Sequence, residues 1–441
     1  MKHLKVIWIV PLAFAGIVQS SSAAVQQSLT ELMSETLKTH PAVISAQSIS
    51  ESKHQLLKEA RAKAFPTLKL TGSMVKQEVP TVLTGGFDLS PEKIYSGAIE
   101  LEQPIYMGGR IWLGMELREI EWQVARTQFQ KTKQDILAQV LSASLNLTLV
   151  EKNLEVLSFS EKTQNQFLKT TRTRAGRGNA KSYELQQAKA NALATETRVL
   201  QAQSQLEAAK SKQENLYGIE SAKIKLDWEQ DSLVTQAGRD LSRPLENWYD
   251  EALQSRPEAQ LAQYNVKLSQ TQKRFNFGEH LPSLVFKGRW GYQSLTRETF
   301  SDSGTESSEM ILALEIPLFS GFSSFYQRHA DAEKVASTQR DQEWLNRQIR
   351  GEVDQAYFDL KRAVELLKKS QDWARAADAA FKKGMSSYRL GVIDNFQVVQ
   401  LQTGRESAEL ASAEAKVGYL VAWISWNKAI GHPLENIFQG Q

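Results

Sequence analysis

The chain has 441 residues, of which 23% are charged and 41% hydrophobic, and its formal net charge is +3. That balance excludes a disordered polymer and a multi-span helical membrane protein, and it creates no field that would gather nucleic acid. With no cysteine, the chain carries neither a disulfide nor a thiol for lipid attachment after a leader.

Residues 1–24 read as a secretory leader. Lys2 and Lys5 form the basic start, Val6–Val18 the apolar run, and Ser22-Ala23-Ala24 the small-residue cleavage region. Helical spacing follows over Leu29–Thr39, breaks before Pro41 and resumes to Ala64, where Phe65-Pro66 ends it. Thr67–Lys76 alternates, with Leu68, Leu70 and Met74 opposite Lys69, Thr71 and Ser73. A loop holding Pro80, Gly85-Gly86 and Pro91 leads to a second alternating run. There Tyr95, Ile99 and Leu101 oppose Ser96, Glu100 and Glu102, and Pro104 is expected to end the strand.

From Gly109 to Ala175 there is no proline. Ile136, Val140, Ala143, Leu147, Val150, Leu154 and Leu157 recur at steps of four and three, a heptad seam. At ~1.5 Å per residue such a helix is a rod of about 100 Å. It turns at Ala175–Gly178, and a return helix over Ala180–Tyr217 carries a seam of small residues. The connector Ile219–Arg243 is polar and reads as aperiodic.

The plan occurs twice. Leu29, Pro41, Ala46, Pro66, Leu68 and Gly72 reappear as Leu245, Pro257, Ala262, Pro282, Leu284 and Gly288. Pro104, Gly108, Ile136, Val140, Leu147, Gly178 and Tyr183 return as Pro317, Gly321, Ile349, Val353, Leu360, Gly391 and Phe396. The expected organisation is therefore a first repeat over 25–218, a connector over 219–244 and a second repeat over 245–441. The strand hairpins fall at about 67–103 and about 283–316, and the helical hairpins at about 109–217 and about 322–430.

Strands of this length can cross a bilayer at a tilt of ~45°. The apolar face is expected to meet lipid through Leu68, Leu70, Ile99, Leu101, Leu284, Phe286, Trp290, Leu312 and Leu314. The lumen would then receive Lys69, Glu100, Glu102, Lys287, Arg289 and Glu315. The opposite register would place Lys287 and Arg289 in lipid at roughly 2–4 kcal/mol each. A soluble sheet with one buried face shows the same alternation. If the strands do span a membrane, their open edges demand partners, because each unpaired backbone group in hydrocarbon costs several kcal/mol. The chain would then be an obligate homo-oligomer.

In this duplicated frame, several short stretches resemble the TolC-like outer-membrane efflux proteins. They are Leu29…His40-Pro41, Phe65-Pro66-Thr67-Leu68, Gln103-Pro104-Ile105-Tyr106-Met107-Gly108-Gly109-Arg110 and Tyr388-Arg389-Leu390-Gly391. The resemblance implies a mainly α chain with membrane β. Long coiled-coil helical barrels would carry four strands per chain, which a homotrimer closes into a twelve-stranded outer-membrane barrel. It also implies a periplasmic adaptor (a membrane fusion protein), an inner-membrane transporter and a passive duct carrying small molecules or a secreted protein. By the same resemblance the tip residues Arg177, Gly178, Asn179, Arg389, Leu390, Gly391 and Val392 meet the adaptor. Glu184, Gln187, Asp394, Gln397 and Gln400 fall at the aperture. Some relatives place two aspartates where Gln397 and Gln400 stand, so an acidic cation-binding ring is not expected.

The six histidines show no metal-ligand spacing, and no nucleophile elbow or P-loop is present. Neither enzyme activity nor a cofactor is expected. His40 and His432, each before a proline, suit helix ends. The competing reading is an exported periplasmic coiled-coil scaffold or adaptor without a pore.

Overall fold

The computed structural model describes residues 29–76, 93–178, 180–217, 230–294, 305–390 and 392–437. The leader, the loop glycines and prolines of 77–92, Asn179 and Gly391 lie outside these residues.

The first half runs α1 (Leu29–Thr39), α2 (Pro41–Ala62), β1 (Thr67–Lys76), β2 (Lys93–Met107), α3 (Arg110–Gly176) and α4 (Ser182–Tyr217). After α5 (Gln230–Ser242) the order returns as α6 (Leu245–Ser255), α7 (Pro257–Phe277), β3 (Ser283–Ser294), β4 (Thr305–Glu315), α8 (Ser323–Arg389) and α9 (Asn395–Ile430). A short α10 (Leu434–Ile437) closes it. Both rods, α3 and α8, have 67 residues, and both return helices have 36. Each rod therefore spans about 100 Å at the helical rise.

Two short helices flank one long one. Lys53 and Arg61 of α2 pair with Glu121 and Glu119 near the start of α3, at 3.0 and 3.3 Å. Further along, Leu154 and Leu157 of α3 pack on Val199 and Ala202 of α4. The α3 seam is wider than its spacing indicates. Ile136, Val140, Leu147 and Leu157 are buried, but so are Leu137, Leu141 and Leu145 beside them. These three lie on the side of α3 that packs on α9, in the main core that also holds Ile349, Val353, Leu360, Tyr419, Trp423 and Trp426. Three helices meeting along α3 require two stripes, not one.

The connector departs from the sequence reading. Its second half is α5, with Ala237 fully buried and Leu241 against the main core. Asp240 accepts a hydrogen bond from Trp426 Nε1 at 3.0 Å, and burial pushes its carboxyl above the ordinary aspartate range. The polar residues between Leu233, Val234, Ala237 and Leu241 masked a helical spacing.

The strands form one antiparallel sheet in the order β1-β2-β3-β4. A second departure is Pro104, which does not end β2. The strand continues to Met107 through an irregularity between Pro104 and Tyr106. A bulge absorbs the residue that cannot donate. On its other side β1 has already begun at Thr67, opposite Glu102, so no ladder bond is lost there.

Candidate functional site

Two ends of the molecule carry chemistry, the sheet and the tips of the helical hairpins. In the sheet, register decides which side chains share a face. Leu68 lies opposite Leu101, Leu70 opposite Ile99 and Ile99 opposite Trp290. Leu284 and Phe286 lie opposite Leu314 and Leu312. Two-residue periodicity then puts all nine expected apolar residues on one face. The other face collects Lys69, Glu100, Glu102, Lys287, Arg289 and Glu315.

The charged face is ordered. Lys69, Glu100, Arg289 and Glu309 occupy one row across the four strands, alternating in sign. Arg289 Nε lies 3.8 Å from Glu100 Oε1. Glu102 faces Lys287 in the next row. Opposite charges directly across a ladder stabilise it by roughly 0.2–1 kcal/mol per pair. Glu309 was not anticipated. It is the odd-numbered partner that Arg289 requires once the register is fixed.

At the tips, Gly178 has φ +74°, the left-handed conformation that favours glycine. Arg177, Arg389, Leu390 and Val392 are exposed, Leu390 at 80% and Val392 at 74%. Tyr183 and Phe396, equivalent residues of the two return helices, are exposed beside them. Beneath this surface Phe167, Phe381, Tyr388 and Val398 are buried together. Phe167 meets Tyr388 edge-on at 5.6 Å, and the Arg174 guanidinium lies over the Tyr388 ring. The rod of the first repeat is thus held to both helices of the second within one chain.

Of the expected aperture residues, Gln187, Asp394, Gln397 and Gln400 are exposed and Glu184 is half-buried. Asp394 and Gln397 have a local task. The Asp394 carboxylate accepts from Gln397 N–H at 2.9 Å, and the Gln397 side chain accepts from Asp394 N–H at 3.2 Å. This reciprocal cap starts α9. Its Asp-x-x-Gln signature stands in the sequence.

About three helical turns above the tip lies a buried polar bridge that the spacing argument missed. Glu406 of α9 accepts from Ser160 Oγ of α3 at 2.8 Å and is ion-paired to Arg198 of α4. Gln402 Nε2 donates to Ser160 O and Oγ, and Gln164 Nε2 donates to Gln402 Oε1. Ser160, Gln164, Gln402 and Glu406 are all buried. Of these only Gln164 falls on the α3 heptad stripe, seven residues past Leu157; Ser160 lies one position off it, and Gln402 and Glu406 belong to α9.

His40 Nδ1 accepts from Ala42 N–H and caps α2, and His432 pairs with Glu251 at 2.7 Å. Among the described residues no cluster of histidine and carboxylate side chains could hold a metal, and no helix is long and apolar enough to cross a membrane.

Comparison with known proteins converges on one group. The family model described as "Outer membrane efflux protein" matches residues 32–218 and 248–432. PrtF of Dickeya chrysanthemi, described as a protease secretion protein, is 22% identical over 351 residues, covering 76% of this chain and 72% of PrtF. The structure of VceC, an outer membrane protein of Vibrio cholerae, superposes with a TM-score of 0.76 at 16% identity, covering 92% of this chain and 96% of VceC. The CmeC outer membrane channel of Campylobacter jejuni gives 0.77 at 14%, covering 91% and 85%. An open-edged sheet above paired helical rods, matched over both repeats, therefore identifies the chain as a member of the outer membrane efflux protein family, an outer-membrane channel with a periplasmic helical extension.

Proposed function

We propose that the chain works as a homotrimeric passive exit duct, closed by no subunit alone. The observation that carries this is the sheet itself, with one apolar face, one charged face and, among the described residues, no strand beyond β1 or β4. In hydrocarbon such edges must be paired, and a second and third copy supply the strands. The apolar face meets outer-membrane lipid, and Lys69, Glu100, Glu102, Lys287, Arg289 and Glu315 line water. Below, the exposed tip residues Arg177, Gly178, Leu390 and Val392 receive a periplasmic adaptor, with Asn179 and Gly391 as their neighbours in sequence. The adaptor joins the duct to an inner-membrane transporter, which supplies the energy. Glu184, Gln187, Asp394, Gln397 and Gln400 surround the aperture in this reading.

Small-molecule efflux is one reading of the load, in keeping with a family described by efflux. Secretion of a protein is the second reading, favoured by the likeness to PrtF. Restored drug tolerance, as against restored protease secretion, in a host lacking its own channel separates the two.

Adjacent positions in β4 test the faces. Leu312→Arg places a cation in lipid at a cost of roughly 2–4 kcal/mol per subunit, or three times that per trimer. It should abolish outer-membrane trimers. Ala313→Arg, one residue along and on the charged face, should leave trimers intact and change conductance. Equal assembly of both variants would sink the assignment.

A further inference from the structure

We propose that the inner wall of the duct carries a binding groove for amphipathic organic cations, built by α3, α7 and α8 around Trp344 and Asp341. The proposal rests on the duct reading above and names the class of small molecule that the duct takes.

Three hollows run together below the sheet. One of about 450 Å³ lies at the strand-to-rod joint, between Met107, Gly114 and Phe275. A second, of about 490 Å³, is floored by Ala46, Ile49, Val124 and Leu268. The third lies between α7 and α8, has about 750 Å³ and is floored by Leu261, Leu268 and Leu345. Glu121 borders all three, so they form one groove. The third hollow alone has the size of a small-molecule site, roughly 300–1,000 Å³.

Met107 fixes the side on which the groove opens. It pairs with Ser283, which is in step with Val285, Lys287 and Arg289, so it stands on the charged face of the sheet. Met107 also lines the first hollow. The groove therefore opens on the face assigned to water in the duct, not on the face assigned to lipid. The geometry of α8 agrees. Val353 is buried in the core that α5 and α6 cover. Trp344 stands nine residues before it, about two and a half helical turns, and so points away from that cover.

The third hollow has an acidic rim. Four carboxylates and a single lysine, Lys334, line it. Two of the carboxylates are already neutralised. Glu121 pairs with Lys53 and Arg118 at 3.0 and 2.9 Å, and Glu258 pairs with Arg256 at 3.4 Å. Asp331 accepts only from the neutral amides of Asn276 and Gln327, each at 3.0 Å. Among the described residues, no hydrogen bond or ion pair reaches Asp341. One turn on, Trp344 is 61% exposed, a large aromatic face left to water beside an unpaired carboxylate.

An aromatic face and a carboxylate together recognise a cation. The leucine floor seats an apolar body, and the adjoining hollow at Ile49 extends that floor. An anion would meet two aspartates against one lysine. A hydrophilic solute would leave Trp344 and the leucines wet. An amphipathic cation satisfies both parts of the groove. A trimer repeats the groove three times around the bore. A site this open binds weakly enough to let its load move on, which a conduit requires.

Fluorescence polarisation of rhodamine 6G, an amphipathic cationic dye, measures binding to the purified trimer in detergent. Fluorescein, an anion on a similar ring system, is the control, and the micelle takes up each dye equally in every variant. Trp344→Ala and Asp341→Asn change exposed side chains and should each weaken rhodamine binding roughly fivefold. Lys334→Gln removes the opposing charge and should tighten it. Equal rhodamine affinity in the parent, Trp344→Ala and Asp341→Asn would overturn the site. Fluorescein bound as well as rhodamine, and weakened by the same variants, would overturn the choice of a cation. Trp344→Cys then supplies the one thiol in the chain. Coupling it to a polyethylene glycol maleimide should lower single-channel conductance in planar bilayers. Full labelling with unchanged conductance would overturn the groove's place in the bore and leave the duct standing. A parent protein that forms neither trimer nor channel would overturn the duct reading and the groove with it.

Discussion

The two repeats have equal rods and equal return helices, yet they are finished differently. Apart from the exposed edge of β1, the first repeat is covered by the second: β2 has neighbours on both sides, Gly108 is pressed against Gly278, and α3 is covered by α2, α4, α7 and α9. Among the described residues, the second presents an edge strand, β4, a trailing segment outside the ladder and a Gly321 with nothing against it. A duplicated sheet should expose at its edge what it buries at its middle, because among the described residues β4 is its last strand. In the proposed trimer this difference is where the next subunit would sit.

Glycine at the strand-to-rod joint gives the largest way to break this comparison. Gly108→Ala would force a Cβ into the Gly278 backbone and into a left-handed conformation that alone costs roughly 1–2 kcal/mol. It should abolish assembly. Gly321→Ala, judged on one chain, should cost only the conformational part. If a neighbouring subunit closes on Gly321 as Gly278 closes on Gly108, it should be nearly as damaging as Gly108→Ala, and trimer yield in outer membranes measures this. A mild Gly321→Ala defect would show a looser joint at Gly321 than at Gly108.

The polar bridge comes next, because it couples the repeats where the hairpins run together. Glu406→Leu removes the acceptor of Ser160 and the partner of Arg198. The expected cost is about 1–3 kcal/mol per subunit, the range for leaving buried polar groups unpaired. Arg198 is half-exposed and regains water, which keeps the loss at the lower end. Glu406→Gln retains the acceptor for Ser160 and should lose less. The dissociation temperature of the purified trimer orders the three proteins. Indistinguishable values would mean that apolar packing alone binds the hairpins.

What could be read in the sequence followed from periodicity and duplication. Two-residue alternation placed Leu70, Trp290 and Leu312 on one face and Lys69 and Arg289 on the other, and the observed register agrees. The rods followed from uninterrupted spacing without proline. What escaped was anything set by a neighbour distant in the chain. The second stripe of α3, at Leu137, Leu141 and Leu145, exists because α9 arrives from more than two hundred residues away. Gln402 and Glu406 read as ordinary polar positions until Ser160 is brought against them. α5 was hidden by its polar residues, and Pro104 by a bulge that only the pairing with β3 reveals. The cap at Asp394 and Gln397 is legible in the sequence as Asp-x-x-Gln ahead of α9.

Phe322 offers the finest test. It stands where the first repeat has Gly109, and both precede a rod in the left-handed conformation, at φ +65° and +78°. Phe322 is the one non-glycine with positive φ among the described residues. A phenylalanine there carries roughly 1–2 kcal/mol of backbone strain. Phe322→Gly releases that strain, and the greater freedom of glycine in the unfolded chain returns about half of it. If backbone conformation were all that mattered, the variant should gain up to about 1 kcal/mol per subunit and dissociate at a higher temperature. The ring is exposed in one chain, with Phe319 edge-on at 5.5 Å. Phe319 belongs to the segment that trails β4. If the ring is buried against the next subunit, its loss should outweigh the relief, since burying a phenylalanine stabilises by about 1.5–3 kcal/mol. A lowered dissociation temperature in Phe322→Gly would therefore place the strained residue in the contact between subunits, and a raised one would place it outside.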